Sequence, residues 1–464
     1  MPRVGSIPTN VHQQLSTSES PTSGARDGAN EIPPIFRHFN SQLNRCDCIV
    51  VRVRIYAGDV VKEQTLKFSD DEMLLVQDVH KAVADKEGLS ETSRKMFAMW
   101  MVGSQVELQL RPYIDLFEML SLWPRWVEKY THHPNVTPAS SPFSAPCKFH
   151  LSFRRECLVP KAKERKVAEE AAVRLLFGEA RRNVLAGRYP CAVEDACVLA
   201  GVQMQLRHGD FDPRKHGDGF LSDQLEEFVP RSLIERLKPS DWEARIYDNH
   251  RKYKGRSPII CRMLYLQFVR QWPFYGSAFF PCCRTVPPGG FFEYRKENWL
   301  CAVNAEGISI VDVAKNKLVL HKDYSQLTWE WSPDTLVLSF PASTTPTPIR
   351  RPSSPTSLSP SPHDVAPGGF SHSTLLRFTL ITPQAYLANN VGSRAVDEAV
   401  RREEDLEKVR RDQAAAVGQA VSSPESQGLA AGHPNQSHRS RAPTMGGLGP
   451  ASVRGARPDG VWGQ

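Results

Sequence analysis

Apolar and polar positions alternate over residues 49–56, where Ile49, Val51, Val53 and Ile55 interleave with Val50, Arg52, Arg54 and Tyr56. A period of two predicts a strand with one face on a core and a partly basic face outward. Leu66 and Phe68 continue the pattern on a partner strand. The period then changes: Leu75, Val76, Val79 and Val83 recur at helical spacing behind Ser69 and Glu72, which read as a capping box. Residues 96–102 and then Val106, Leu108 and Leu110 supply further strands, and a Trp-rich segment at 113–130 closes the lobe. These elements predict a mixed helix and sheet lobe over residues 46–131.

Residues 132–147 are rich in Pro, Ser and His and read as a linker. His132 and His133 have no acidic or Cys partner at a ligand spacing. Phe149, Leu151 and Phe153 alternate with polar neighbours as one more strand, which leads a helical lobe over 148–271. Within it Val173, Leu176, Ala180 and Val184 form one face of a helix stopped at Gly187, and a second helix fits 193–206. A third starts at a capping box of Ser240 and Glu243, with Trp242, Ile246 and Tyr253 on its inner stripe. The fourth, 259–270, stops ahead of Pro273.

Strand signal returns at 274–280, 300–303, 308–313, 318–321, 327–331, 336–340 and 375–382, and a helix follows over 383–411, interrupted between Asn389 and Ser393. Seven strands capped by a helix predict a small β-sandwich lobe over 272–415. It holds a Pro- and Ser-rich insertion at 341–373, too long for an ordered loop. Ser354, Ser359 and Ser361 precede prolines there and are candidate phosphorylation sites; an inert insertion is the alternative. Residues 1–45 and 416–464 have the composition of disordered tails.

Composition sharpens this layout. With 464 residues, 40% of them hydrophobic, and 36 prolines, the cores must be concentrated rather than spread along the chain. The net charge of +7 is distributed, which argues against nucleic acid and fits an anionic membrane surface better. No apolar run reaches the length of a membrane span and no signal peptide is visible, so a soluble intracellular protein is expected. Ten cysteines without a secretory signal imply reduced thiols. The pairs Cys46 with Cys48 and Cys282 with Cys283 lack the C-x-x-C spacing of structural zinc, so no metal or other cofactor is expected. Nucleotide-binding, metalloprotease, hydrolase and Cys-dependent phosphatase strings are all missing, which argues against an enzyme.

Several local strings carry a family resemblance. They are Phe97-Ala98-Met99-Trp100 with Glu107-Leu108-Gln109-Leu110-Arg111-Pro112 and Trp123-Pro124; Glu179-Ala180 with Asn183-Val184-Leu185-Ala186 and Gly187-Arg188-Tyr189-Pro190-Cys191; Lys215-His216 with Gly219-Phe220-Leu221; and Pro273-Phe274-Tyr275-Gly276 with Ala278-Phe279-Phe280. Together they resemble the FERM domain family, over roughly 46–410. The resemblance implies an α+β, three-lobed module: a ubiquitin-like lobe, a helical lobe like acyl-CoA-binding protein, and a sandwich of pleckstrin-homology or phosphotyrosine-binding type. It implies a scaffold for cytoplasmic tails of membrane proteins, inactive rhomboids with a cell-surface sheddase among them, at the plasma membrane or endosomes. Some strings are closer to the Krev-interaction-trapped branch, which implies a Rap-type small GTPase as partner; a phosphoinositide-binding module is a third possibility.

In such a sandwich an extended peptide can add to an exposed edge beside the helix. The expected edge is 327–331, with Leu327, Trp329 and Trp331 facing Tyr386, Leu387 and Val391. Trp329 and Trp331 have the same parity and share a face, which either lines this groove or fills the sandwich core. Arg52 and Arg54 either border a cleft between the first and third lobes, meet anionic phospholipid, or form a solvated strand face.

Overall fold

The computed structural model describes residues 33–42, 44–70, 73–131, 136–137, 140–141, 144–286, 295–342 and 375–421. Two compact units, 1–403 and 404–464, divide the chain. Everything below concerns the first, apart from the end of one helix.

The first lobe contains β1 (Ile35–Asn40), β2 (Arg45–Ala57), β3 (Val60–Ser69), α1 (Val76–Lys86), α2 (Glu91–Arg94), β4 (Phe97–Gly103), β5 (Glu107–Gln109), α3 (Leu116–Thr131) and β6 (Phe149–Arg155). Its sheet runs β1-β2-β6-β4-β5, with β3 also paired to β2. Strand β2 is long enough to serve two partners in turn. Its first part pairs antiparallel with β1, Ile35 opposite Val51, and its second part pairs parallel with β6, Val53 opposite Leu151. Ile49, Val51, Val53 and Ile55 are all buried, as their alternation requires.

Three expectations change here. Strand β1 lies inside the segment 1–45 expected to be disordered. Strand β6 joins the first sheet between β2 and β4, so 132–147 leaves and re-enters one lobe instead of linking two. Alternation identified β6 as a strand, but only register decides its neighbours. Helix α1 starts at Val76 behind Leu75, whose amide donates to Asp78 Oδ2 at 3.1 Å, instead of at Ser69; Glu72 lies outside the described residues.

The second lobe is helical: α4 (Lys161–Glu164), α5 (Glu170–Leu185), α6 (Val193–His208), α7 (Arg231–Ile234), α8 (Pro239–Arg251) and α9 (Pro258–Val269). Glu243 does not cap α8. It is buried and accepts the amides of Gly219 and Leu221 at 2.8 and 2.7 Å, pinning the loop after α6. Trp123, Phe177, Trp242 and Tyr265 belong to one hydrophobic core that runs through the first two lobes.

The third lobe has seven strands, β7 (Ala278–Val286), β8 (Arg295–Val303), β9 (Gly307–Asp312), β10 (Lys317–Asp323), β11 (Thr328–Ser332), β12 (Thr335–Pro341) and β13 (Leu375–Ile381), then α10 (Ala385–Val421). The strands follow the order β10-β9-β8-β7-β13-β12-β11. Among the described residues, strands β7 and β13 pair at Cys283 and Ile381, so the path is two half-sheets hinged there. Phe280, Cys301 and Ile310 from one half and Leu336, Leu338 and Leu380 from the other fill a common core. The aromatic run 274–280 is not a strand throughout: residues 272–277 turn, and β7 begins at Ala278. Helix α10 passes through 389–393 unbroken.

A buried charged cluster joins the lobes. Glu164 in α4 accepts from Arg155 Nε of β6 at 2.5 Å, from Arg270 Nε beyond α9 at 2.7 Å and from Tyr275 Oη ahead of β7 at 2.6 Å. Burial opposes the carboxylate, but Arg155 and Arg270 outweigh it and hold its pKa below the usual range. A second ion-paired carboxylate, Glu107 of β5, pairs with Arg154 of β6 and with Arg188 after α5. Burial again works against the charge, and the two arginines bring the Glu107 pKa to about 2.

Candidate functional site

Strand β11 is the last in its sheet, so one of its edges is open. A two-residue turn at 333–334 joins it to β12, with Ser332 opposite Thr335 and Trp331 opposite Leu336. The pair flanking a two-residue turn exchanges hydrogen bonds, and the pattern alternates from there. The backbone groups of Trp329 and Trp331 therefore point to the open edge, while those of Thr328 and Glu330 are spent on β12.

The side chains of Trp329 and Trp331 turn toward α10. Trp329 is 4% exposed and donates Nε1–H to Asn389 Oδ1 at 2.9 Å. Gly392 lies one helical turn further on, where an added Cβ would come within 3.1 Å of the indole. Asn389 is thus an acceptor for a buried donor, not the helix break that its composition suggested. Trp331 is half-buried, its ring edge-on to Tyr386 at 5.3 Å between centroids. Tyr386 is 39% exposed and Lys129 of α3 stands over its ring at 5.5 Å.

The six residues expected to line one groove consequently divide. Leu327 and Trp329 are core, Leu387 and Val391 pack partly buried against that core, and Trp331 with Tyr386 forms the accessible rim. Sequence parity placed the two tryptophans on one face but could not say how deep each sits.

The rim borders a junction of the first and third lobes that sequence reasoning left unresolved. Gln384 Nε2 donates to Gln105 O at 2.8 Å and to Tyr130 O at 3.2 Å, which anchors the start of α10 to the turn after β4 and the end of α3. Burial raises the Tyr130 hydroxyl pKa to about 12. Lys129, Tyr130 and Tyr386 thus stack where the three elements meet.

Arg52 and Arg54 have different surroundings. Arg52 is committed: it donates to Pro33 O at 3.1 Å and pairs with Glu63 at 3.3 Å. Arg54 is half-buried near His150 and Arg182. Burial, with Arg188 and Arg54 nearby, lowers the Arg182 pKa to about 10. The guanidinium of Arg182 lies over the Tyr56 ring at 4.3 Å. Among the described residues no carboxylate pairs with Arg54 or Arg182. Ser354, Ser359 and Ser361 lie outside the described residues, as do most of the insertion and of the two tails. No helix among the described residues is long and apolar enough to cross a membrane. All ten cysteines are free thiols.

Comparison with known proteins agrees with this three-lobed arrangement. Residues 162–280 match the family model of the FERM central domain. The chain is 26% identical over 355 residues to FERM domain-containing protein 8 of Homo sapiens, covering 71% of this chain and 75% of the relative. With the Xenopus tropicalis protein of that name it shares 25% identity over 320 residues, 63% of this chain and 70% of the relative. Among solved structures it is similar in fold to the human myosin 7b C-terminal MyTH4-FERM domain in complex with the harmonin-a PDZ3 domain. The TM-score is 0.50 at 15% identity, over 75% of this chain and 60% of the solved one. The lobe order, the central-domain match and the similarity over most of the chain agree: residues 162–280 match a FERM central domain, and the chain as a whole is similar to FERM domain-containing proteins.

Proposed function

We propose that this chain is a non-enzymatic FERM scaffold whose β11 edge, beside Trp331 and Tyr386, captures an extended cytoplasmic tail of a membrane protein. The open edge carries the reading: main-chain donors and acceptors of Trp329 and Trp331 face outward next to an exposed aromatic rim. An added strand would take its affinity from main-chain bonds and its selectivity from the Trp331–Tyr386 rim and the Lys129 charge. Such a small interface is expected near micromolar, about −8 kcal/mol. Similarity to FERM domain-containing protein 8 supports inactive rhomboid tails within a sheddase complex as the tails to try first, at the plasma membrane or endosomes.

The test is binding of tail peptides to the intact chain and to a Trp331→Ala, Tyr386→Ala variant with an unchanged thermal midpoint. Loss of more than tenfold in the variant supports the edge. Equal affinity removes it and moves attention to the Gln105–Gln384 junction.

A second reading has its own observation. Burial disfavours the Arg182 charge, Arg54 lies half-buried near it, and among the described residues neither pairs with a carboxylate, so an acidic partner over the first two lobes, such as the face of a Rap-type small GTPase, would supply one. Nucleotide-dependent binding abolished by Arg182→Glu supports it. Salt-sensitive binding to phosphoinositide vesicles alone points instead to anionic phospholipid.

A further inference from the structure

The hairpin of β1 and β2 carries a register shift. His38 pairs with Cys48 and Phe39 with Cys46, leaving Asp47 as an extra residue in β2. A bulge of this kind turns two successive side chains to one side of the strand. Regular alternation would put Cys46 and Cys48 together and Asp47 opposite them. The bulge instead gathers Asp47 and Cys48 with His38, and leaves Cys46 beside Phe39.

The outcome is a convergent donor set. One ligand atom each from His38, Asp47 and Cys48 lies within 4.8 Å of the others, at a surface open to solvent. His38 Nδ1 donates to Asp47 Oδ1 at 2.9 Å, and Asn40 Nδ2 donates to Asp47 Oδ2 at 2.9 Å. The carboxylate is thereby oriented by a neighbour that is not itself a ligand, as in protein metal sites. We infer that the β1–β2 hairpin binds zinc through Cys48, His38 and Asp47, with water completing the tetrahedron.

Imidazole, thiolate and carboxylate are the zinc donors, and tetrahedral coordination brings them to about 3.5 Å from one another, a contraction that surface rotamers can supply. Ligation takes the Cys48 thiolate, so its thiol proton leaves to solvent on binding. If Nδ1 is the ligand atom, Nε2 carries the imidazole hydrogen. The C-x-C spacing plays no part in this set: Cys46 stays opposite Phe39, and His38 comes from the adjacent strand.

Cobalt(II) titration of the full-length reduced chain tests this, because thiolate ligation gives a charge-transfer absorption that carboxylate and imidazole do not. One equivalent should produce that absorption and zinc should remove it. Cys48→Ser should abolish it, Cys46→Ser should leave it intact, and His38→Ala or Asp47→Asn should weaken cobalt binding at least tenfold. All four positions are at the surface or half-buried, and an unchanged thermal midpoint verifies each variant. Absence of the absorption at micromolar cobalt, or its survival in Cys48→Ser, overturns the assignment.

Discussion

Arg155 and Glu164 form a fully buried pair, Nε to Oε2 at 2.5 Å, at the point where three lobes meet. Arg155 also donates to the carbonyls of Val159 at 2.7 Å and Gly276 at 3.2 Å, so one guanidinium ties β6 to the connection toward α4 and to the start of the third lobe. Removing one member of such a set leaves the others charged and unpaired. Glu164→Ala should cost about 3–5 kcal/mol, read as a lower denaturant midpoint. A loss below about 1 kcal/mol would show that the cluster does not hold the lobes together.

Gly276 faces the same guanidinium with φ of +69°, and a Cβ there would overlap Arg155. Gly276→Ala combines a left-handed backbone with that overlap. We expect a loss of at least about 1–3 kcal/mol by thermal unfolding. Gly88, with φ of +72° but nothing near its Cβ, serves as the control for the backbone part alone.

Trp329 and Trp331 should separate experimentally. Trp329→Ala empties a core position and should cost about 3–5 kcal/mol. Asn389→Ala strands the Trp329 indole N–H and should cost about 1–3 kcal/mol. Trp331→Ala, at the rim, should cost distinctly less than Trp329→Ala while reducing tail binding. Equal losses in the two tryptophan variants would contradict the assigned depths.

Stability should fall in mild acid. His208, His216 and His250 cluster with Phe211 and Phe220 at the ends of α6 and α8, with His216 and His250 rings 5.4 Å apart. His250 Nε2 donates to Gly209 O at 2.7 Å, and Asp212 N donates to His216 Nδ1 at 3.0 Å. Burial lowers all three pKa values below 6.5; Arg207, Lys215 and Arg251 reinforce the effect, and Asp210, Asp212 and Glu227 oppose it. His150 behaves alike, lowered by burial and then by Arg54 and Arg154 to about 4. Groups kept neutral in the fold bind protons more readily when unfolded, so stability is fully present above about pH 6.5 and declines as the pH falls below it. For His150 that decline continues to about pH 4. The urea midpoint should drop between pH 7 and 5, and an unchanged midpoint would contradict this.

Local chemistry was legible in the chain wherever a repeat of two or 3.6 residues sets which side chains share a face. The alternation from Ile49 to Ile55, the helical stripe from Val173 to Val184 and the seven strand signals after Trp272 all correspond to elements, because burial of one face is dictated by residues a few positions apart. The FERM strings added the lobe order. What the sequence could not fix was anything set by partners distant along the chain. Strand β6 takes its place between β2 and β4 through pairs such as Val53 with Leu151 and Met101 with Leu151, far apart along the chain. Asn389 reads locally as a helix breaker, yet its role depends on Trp329, 60 positions earlier. The parity of Trp329 and Trp331 was determined by the strand, but their unequal burial was decided by where α10 docks. Glu164 stays charged in the interior only because Arg155, Arg270 and Tyr275 converge on it. Periodicity is a property of the chain, whereas convergence of distant donors and acceptors exists only once the lobes have packed.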